Sequence, residues 1–449
     1  MYPPGEPKRL RGFPISENAF HYLAMIVEPP ALEQPAARPV RELLTHRPYW
    51  TWTLIVQLVN APALMAAIAF AGLTAVSTGA AKDGGVMVAS LILADVGSSA
   101  LIGKVADRTP GRALPVASAV LAALGLASVA VAAALGAPLP VLCVLCAVAG
   151  TGLGGLAGLT RALLDAAVPQ RLVERALAVN ATVMELLVVG APLIAGAALL
   201  VLGWPGGVAA MAAGAAVLAL VLAFARGAAR PALKRAPEGA PEGAHEGAPE
   251  GAHAEDGTPA KRREPLWNLG FIAWVAVGIA FGHTLGAIET AALPLAQTLG
   301  SGSFGAGTII AVLAGSSALA GIGYAVLADR LPGGPSARAG ALLGVVALAA
   351  VGAGRADGWP ALTAVVIAAG LCTAPLNAIR SYAVEKTIPV HRRSEGFGWL
   401  YTTGACGFAA SGLGLTVLPL DVALTAPAVS ALAALALLAV SGVRSRRAA

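Results

Sequence analysis

Three carboxylates stand where the chain has least reason to place them. Asp95, Glu185 and Glu289 lie inside long apolar stretches of a sequence that is 57% hydrophobic and only 12% charged. A carboxylate in such surroundings is stable only when protonated or paired, so each is a group that can take up and release a proton. Asp95 lies about 15 Å of helix into its stretch, near the middle, and Glu185 about 12 Å into its own; Glu289 is near the far end of a third. His283 is the one histidine inside an apolar stretch, and on a helix it points about 120° away from Glu289, so the two do not form a pair. Uncharged polar groups also fall in stripes. Gln57 and Asn60 are spaced i, i+3 on one helical face, and Thr373, Asn377 and Arg380 follow at i, i+4, i+7. Such groups can hold a polar solute; the plainer role is helix-to-helix hydrogen bonding worth under about 1 kcal/mol each.

Other chemistry is poorly represented. Cys143 and Cys146 form a CxxC on one helical turn, but without a second pair or a neighbouring histidine this reads as small-residue packing, not a redox or metal site. Cys372 and Cys406 also lie in apolar segments. Ser316 and Ser317, in "AGSSALAG", read as packing and not as a nucleophile, and nothing matches the phosphate-binding GxxxxGK[ST] loop. The expectation is a protein that is not an enzyme, with no catalytic residues, no metal and no cofactor.

The elements that position these residues are membrane helices. Windows of about twenty apolar residues, each long enough to cross a hydrocarbon core of about 30 Å, recur from Trp50–Ser77 to Val422–Val443. Twelve such spans are expected, the eleventh over Gly396–Leu418. Of the 30 Lys and Arg, all but Lys82 and Arg355 lie on the side of the two termini. By the positive-inside rule both termini are cytoplasmic, and the net charge of +6 reflects topology, not nucleic-acid binding. The divisions are a polar N-terminal extension (1–49), a six-helix bundle (50–226), a disordered linker (227–266), a second six-helix bundle (267–443) and a cytoplasmic tail (444–449). The linker holds the repeat "APEGAPEGAHEGAPEG", which cannot bury a core. His245 and His253 belong to that repeat and imply no metal site.

The two halves echo each other. "GKVADRTPGR" follows the second span and "AVLADRLPGG" the eighth, while "RALLDAAVPQRLVER" follows the fourth and "RSYAVEKTIPVHRRSE" the tenth. Twelve spans with a parallel repeat after six are the pattern of two bundles facing a central cavity. With Gly103, Asp107, Arg108, Gly111 and Arg112, the chain resembles the major facilitator superfamily across Trp50 to Val443. These residues match that family's cytoplasmic motif GxxxDRxGR, with one additional residue at Thr109 and Pro110. The echo keeps Asp329 and Arg330 but has Ala325 in place of the first glycine. "GAPLIAG" on the fifth span, with Gly190, Pro192 and Gly196, is similar to the family's antiporter motif GPxxGG in relaxed form.

The resemblance implies an all-α integral membrane fold of 12 transmembrane helices in two pseudo-symmetric six-helix bundles, with the first, fourth, seventh and tenth spans lining the cavity. It makes Gln57, Asn60, His283, Thr373, Asn377 and Arg380 candidates for substrate contact, and Asp95, Glu185 and Glu289 candidates for proton coupling. It places Asp107 against the start of the eleventh span, near Ser394 to Gly398, and Asp329 near Arg175, as gate contacts. The expected activity is proton-coupled efflux of a small, partly apolar molecule by a monomer in a bacterial cytoplasmic membrane, driven by the proton gradient and in contact with lipids. Uptake by proton symport of a sugar or other metabolite is the alternative, and a membrane sensor or intramembrane enzyme a more distant one.

Overall fold

Ala- and Leu-rich runs become helices and stop where glycine or proline lets the chain turn. Gly136, Gly203 and Gly300, at φ of 73°, 76° and 72°, each sit in such a turn in the left-handed region. The computed structural model describes residues 39–77, 83–109, 111, 113–224 and 265–448. Lys82, Pro110, Arg112, most of the expected extension and nearly all of the repeat linker therefore lie outside the described residues.

Of the first 45 residues only a short helix is described, α1 (Pro39–Thr45), with Glu42 in its first turn. From His46 onward the chain forms one compact unit. Its first half comprises α2 (Arg47–Ser77), α3 (Asp83–Ala106), α4 (Ala113–Ala134), α5 (Leu139–Ala166), α6 (Val173–Leu202) and α7 (Gly206–Phe224). The second half comprises α8 (Leu269–Thr290), α9 (Ala292–Thr298), α10 (Gly302–Leu327), α11 (Pro335–Ala353), α12 (Trp359–Thr387), α13 (Arg393–Val417), α14 (Leu420–Thr425) and α15 (Pro427–Ala448). Helix α2 starts earlier than the expected Trp50, because Tyr49 is buried and its hydroxyl donates to the Ala176 carbonyl at 3.0 Å. The expected seventh and twelfth spans are each broken, into α8 with α9 and α14 with α15.

Among the described residues, eleven helices are long and apolar enough to cross a membrane. The segment expected as the eleventh span is not one of them. As α13 it has 25 residues, ample length, but it carries Ser394, Glu395, Tyr401, Thr402, Thr403 and Ser411. A helix this polar is tolerated because it packs against α3, α5 and α8, where its polar groups face protein. The outer surface shows the reverse: Leu200 and Phe304 are each 87% exposed, as suits a hydrocarbon solvent.

Each half has its own apolar core. One cluster runs through α2 to α7 and includes Phe70, Leu91, Leu126, Leu142 and Met211; the other includes Ile288, Leu313, Val346, Val366 and Leu424. The halves meet where α3 and α5 pack on α13 and where α6 packs on α10 and α12. The ends of α3, α5, α10 and α12 and the starts of α2, α6 and α13 share one face, called the near face below.

Candidate functional site

At the near face a carboxylate of the first half holds the start of a helix of the second. The first backbone N–H groups of any helix lack intrahelical partners and carry its positive dipole end. Asp107, just past α3, fills two of them on α13: Oδ1 accepts from Ser394 N at 3.0 Å and Oδ2 from Glu395 N at 2.8 Å. Gly103, one turn earlier, makes the approach possible, since a Cβ there would stand 2.6 Å from the Ser394 carbonyl oxygen. Gly158 of α5 does the same from the other side, at 2.3 Å. Gly111 turns the chain after Asp107 at φ 135°. Arg108 is exposed, and Arg112 lies outside the described residues. Burial pushes the Asp107 carboxyl above its ordinary pKa, outweighing the hydrogen bonds it accepts, and the Glu395 carboxylate adds to the rise.

The second copy of the turn makes a different contact. Asp329 pairs with Arg175 of α6, whose side chain is nearly buried while that of Asp329 is 68% exposed. Beside it, Tyr324 donates to Glu174, and Arg338 reaches both, at 3.5 Å from Glu174 Oε1 and 3.4 Å from the Tyr324 hydroxyl. Two more bonds join the halves. Arg161 Nη2 donates to Ser381 Oγ at 2.6 Å, and Gln170 donates to Glu385, which Arg393 also engages at 2.6 Å.

Deeper in, α3 is held between α5 and α13. A Cβ on Gly150 or Gly154 of α5 would collide with the Leu91 and Asp95 carbonyl oxygens. From the other side Tyr401 donates its hydroxyl to Asp95 Oδ2 at 2.7 Å, and Thr402 donates to the Val96 carbonyl at 2.9 Å. Asp95 is only 3% exposed, so a buried carboxylate–phenol pair spans the two halves. Glu185 of α6 accepts from Ser317 of α10, and Glu289 of α8 lies within its electrostatic reach, so these two acids also come from opposite halves.

The remaining sequence candidates scatter. Gln57 donates to Asn180 of α6 at 3.0 Å, inside the first half, and Asn60 bonds back to the Val56 carbonyl of its own helix. Thr373 bonds back to Ala369, while Asn377 accepts from Arg380 at 3.0 Å. His283 turns away from the halves' meeting surface and faces Ser430 of α15 at 3.1 Å. Pro192 lies inside α6, and an added Cβ on Gly190 or Gly196 would meet nothing within 4 Å. Those two glycines thus serve no close packing in this state. Arg330 is exposed. Tyr401, Thr402 and Asn180 are contributors that periodicity alone did not single out. A signal for the first two was present in the low apolar content of α13. Among the described residues no group of three or more His, Cys, Asp or Glu is placed to hold a metal.

A family model described as the Major Facilitator Superfamily matches residues 53–410. The E. coli fucose:proton symporter superposes with a TM-score of 0.60 at 13% identity, over 86% of this chain and 97% of that one. The proton:xylose symporter XylE, solved with 6-bromo-6-deoxy-D-glucose, gives 0.61 at 13% identity, over 86% and 94% of the respective chains. The human organic anion transporter MFSD10 gives 0.60 at 17% identity, over 90% and 100%. No curated protein matches the chain in sequence. At these identities the structural likeness shows the fold alone.

Proposed function

The chain belongs to the major facilitator superfamily, and from that premise we propose that this multi-pass membrane transporter works by alternating access as a proton-coupled exporter of a small, partly apolar molecule. The observation that carries the reading is Asp107. Its carboxylate, on the first half, is bonded to two backbone N–H groups of the second, a contact that must break if the near face is to open and can re-form when it closes. The near face is then the cytoplasmic one, on the strength of the Lys and Arg bias, and a bacterial inner membrane is the setting.

Proton coupling is assigned to the acids that join the halves. Asp95 accepts from the Tyr401 hydroxyl across the halves, so gain or loss of its proton changes the hold of α13 on α3. Glu185 and Glu289 supply further carriers toward the far side. Each moves one proton and forms no covalent intermediate. The solved relatives are named for cargoes as different as fucose, xylose and organic anions, so the fold does not choose the cargo.

The test uses the full chain reconstituted in proteoliposomes, with spin labels across the near face and a panel of labelled solutes. The reading expects two distance populations whose balance shifts with an imposed proton gradient, and solute movement out of the compartment facing the near side. A single fixed distance, or transport indifferent to collapse of the gradient, contradicts alternating access or proton coupling respectively. Solute accumulation toward the near side would select symport uptake instead.

A further inference from the structure

Arg380 is the one residue of the cavity stripe whose bonding is incomplete. It lies on α12, about 10 Å of helix before the near-face end at Thr387, and is only 7% exposed. Nη2 donates to Asn377 at 3.0 Å, and the guanidinium stands 4.8 Å over the Phe281 ring of α8. Nε and Nη1 are enclosed and have no hydrogen-bond partner among the described residues. Since Nε and Nη1 sit on different edges of the guanidinium, each edge keeps an open N–H.

The described acids of the same face are committed elsewhere. Asp107 binds the α13 backbone, Glu174 binds Tyr324 and Arg338, Asp329 binds Arg175, Glu385 binds Arg393 and Gln170, and Glu395 binds Arg392. The neighbouring charge is instead a second cation: Arg161 of α5 lies within electrostatic reach and donates to Ser381, the residue after Arg380. Beside Nη1 stands Gly404 of α13, where an added Cβ would be 3.4 Å away; at Gly278 of α8 the space is held by Thr403, whose Oγ1 would lie 2.5 Å from such an atom. Gly404 places no side chain next to the guanidinium.

A buried guanidinium without a counter-charge among the described residues, beside another guanidinium, is costly unless an anion completes it. Planar N–H donors suit carboxylate and phosphate oxygens. We infer that Arg380 and Arg161 form the anion-recognising end of the transport site, and that the cargo is a small organic anion whose carboxylate or phosphate docks on the open N–H groups of Arg380, its apolar part against Phe281. This rests on the transporter reading and supplies the cargo class that reading leaves general. The two arginines come from opposite halves, so the anion bridges the halves just above the closed near face.

The experiment follows thermal unfolding of the purified full chain in detergent with sodium 1-naphthoate, sodium phosphate and the neutral isostere 1-naphthamide. Naphthoate or phosphate is expected to raise the wild-type midpoint by several degrees, and naphthamide to leave it unchanged. Arg380→Gln, which removes the uncompensated charge, is expected to raise the midpoint without anion and to weaken the anion response at least tenfold. Arg380→Lys keeps a reduced response, and Arg161→Gln weakens it. The inference is overturned if wild type responds to neither anion, if naphthoate and naphthamide act alike, or if Arg380→Gln lowers the midpoint and keeps the full anion response. Near-face spin-label distances in the same preparation separate the two claims. Two populations without an anion response sink the anion site alone, and a single population sinks the transporter reading beneath it.

Discussion

The near face carries two copies of one Asp-Arg turn, and they hold the halves together with different chemistry. Asp107 reaches the backbone of α13, at two N–H groups that no side-chain motion can remove. Asp329 reaches only the side chain of Arg175, and is itself largely in solvent. A hydrogen bond to a charged group contributes about 1.5–3 kcal/mol, whereas an exposed ion pair gives about 0.2–1 kcal/mol. One residue upstream of each turn differs. Gly103 lets the carbonyl of Ser394 approach α3, and Ala325 stands at its counterpart on α10. Pseudo-symmetry thus supplies two contacts, and small-residue packing makes one of them the principal clasp.

Steric change should break this asymmetry most severely. Gly158→Val or Gly103→Val puts bulk where a Cβ alone would lie 2.3 or 2.6 Å from the Ser394 carbonyl oxygen. Near-face closure and transport in proteoliposomes are expected to fall about a hundredfold or more, the equivalent of about 2.8 kcal/mol, while Ala325→Gly stays within about twofold. Equal losses at Gly103 and Ala325 would remove the distinction. Charge deletion comes next. Asp107→Ala should cut the transport rate about 30-fold, from the loss of about 2 kcal/mol of clasp, and Asp329→Ala less than about fivefold.

Tyr401→Phe removes the donor to Asp95 but leaves the clasp intact. The expected outcome is a several-fold loss of transport with little change in the near-face distances. A loss of closure as large as that of Asp107→Ala would mean that the carboxylate–phenol pair, not the clasp, holds the halves. The smallest effect is on pH. Burial raises the proton affinity of Asp107 in the clasped state, so the clasped state gains relative stability as pH falls and loses it as pH rises through the raised value. Acidification from neutral pH should therefore favour the closed near face modestly, and Asp107→Asn should flatten that slope. The opposite slope in wild type would show that Asp107 is better stabilised ionised.

Much of the scaffold was legible because a bilayer leaves few options. Apolar length marked the helices, and the echo of "ADR" turns marked the two halves. What periodicity gives is a face, not a neighbour, and the errors follow from that. His283 shares a helix with Phe281, which meets Arg380, yet faces Ser430 on α15. The stripe Thr373, Asn377, Arg380 was readable on α12, but the cation Arg161, more than two hundred residues earlier, was not. Tyr401 lay in a segment whose polarity was the clue, since a helix too polar to face lipid must face protein. The partner of Asp107 was suggested by likeness to a family and not by local sequence; only folding brings Ser394 to it.

The most direct measurement is the distance between spin labels at Thr109 and Val390, both exposed and on opposite sides of the clasp, in a background without the native cysteines. A dominant short distance is expected in wild type, a dominant long one in Asp107→Ala, and a largely unchanged short one in Asp329→Ala. An Asp107→Ala distribution identical to wild type would contradict the clasp.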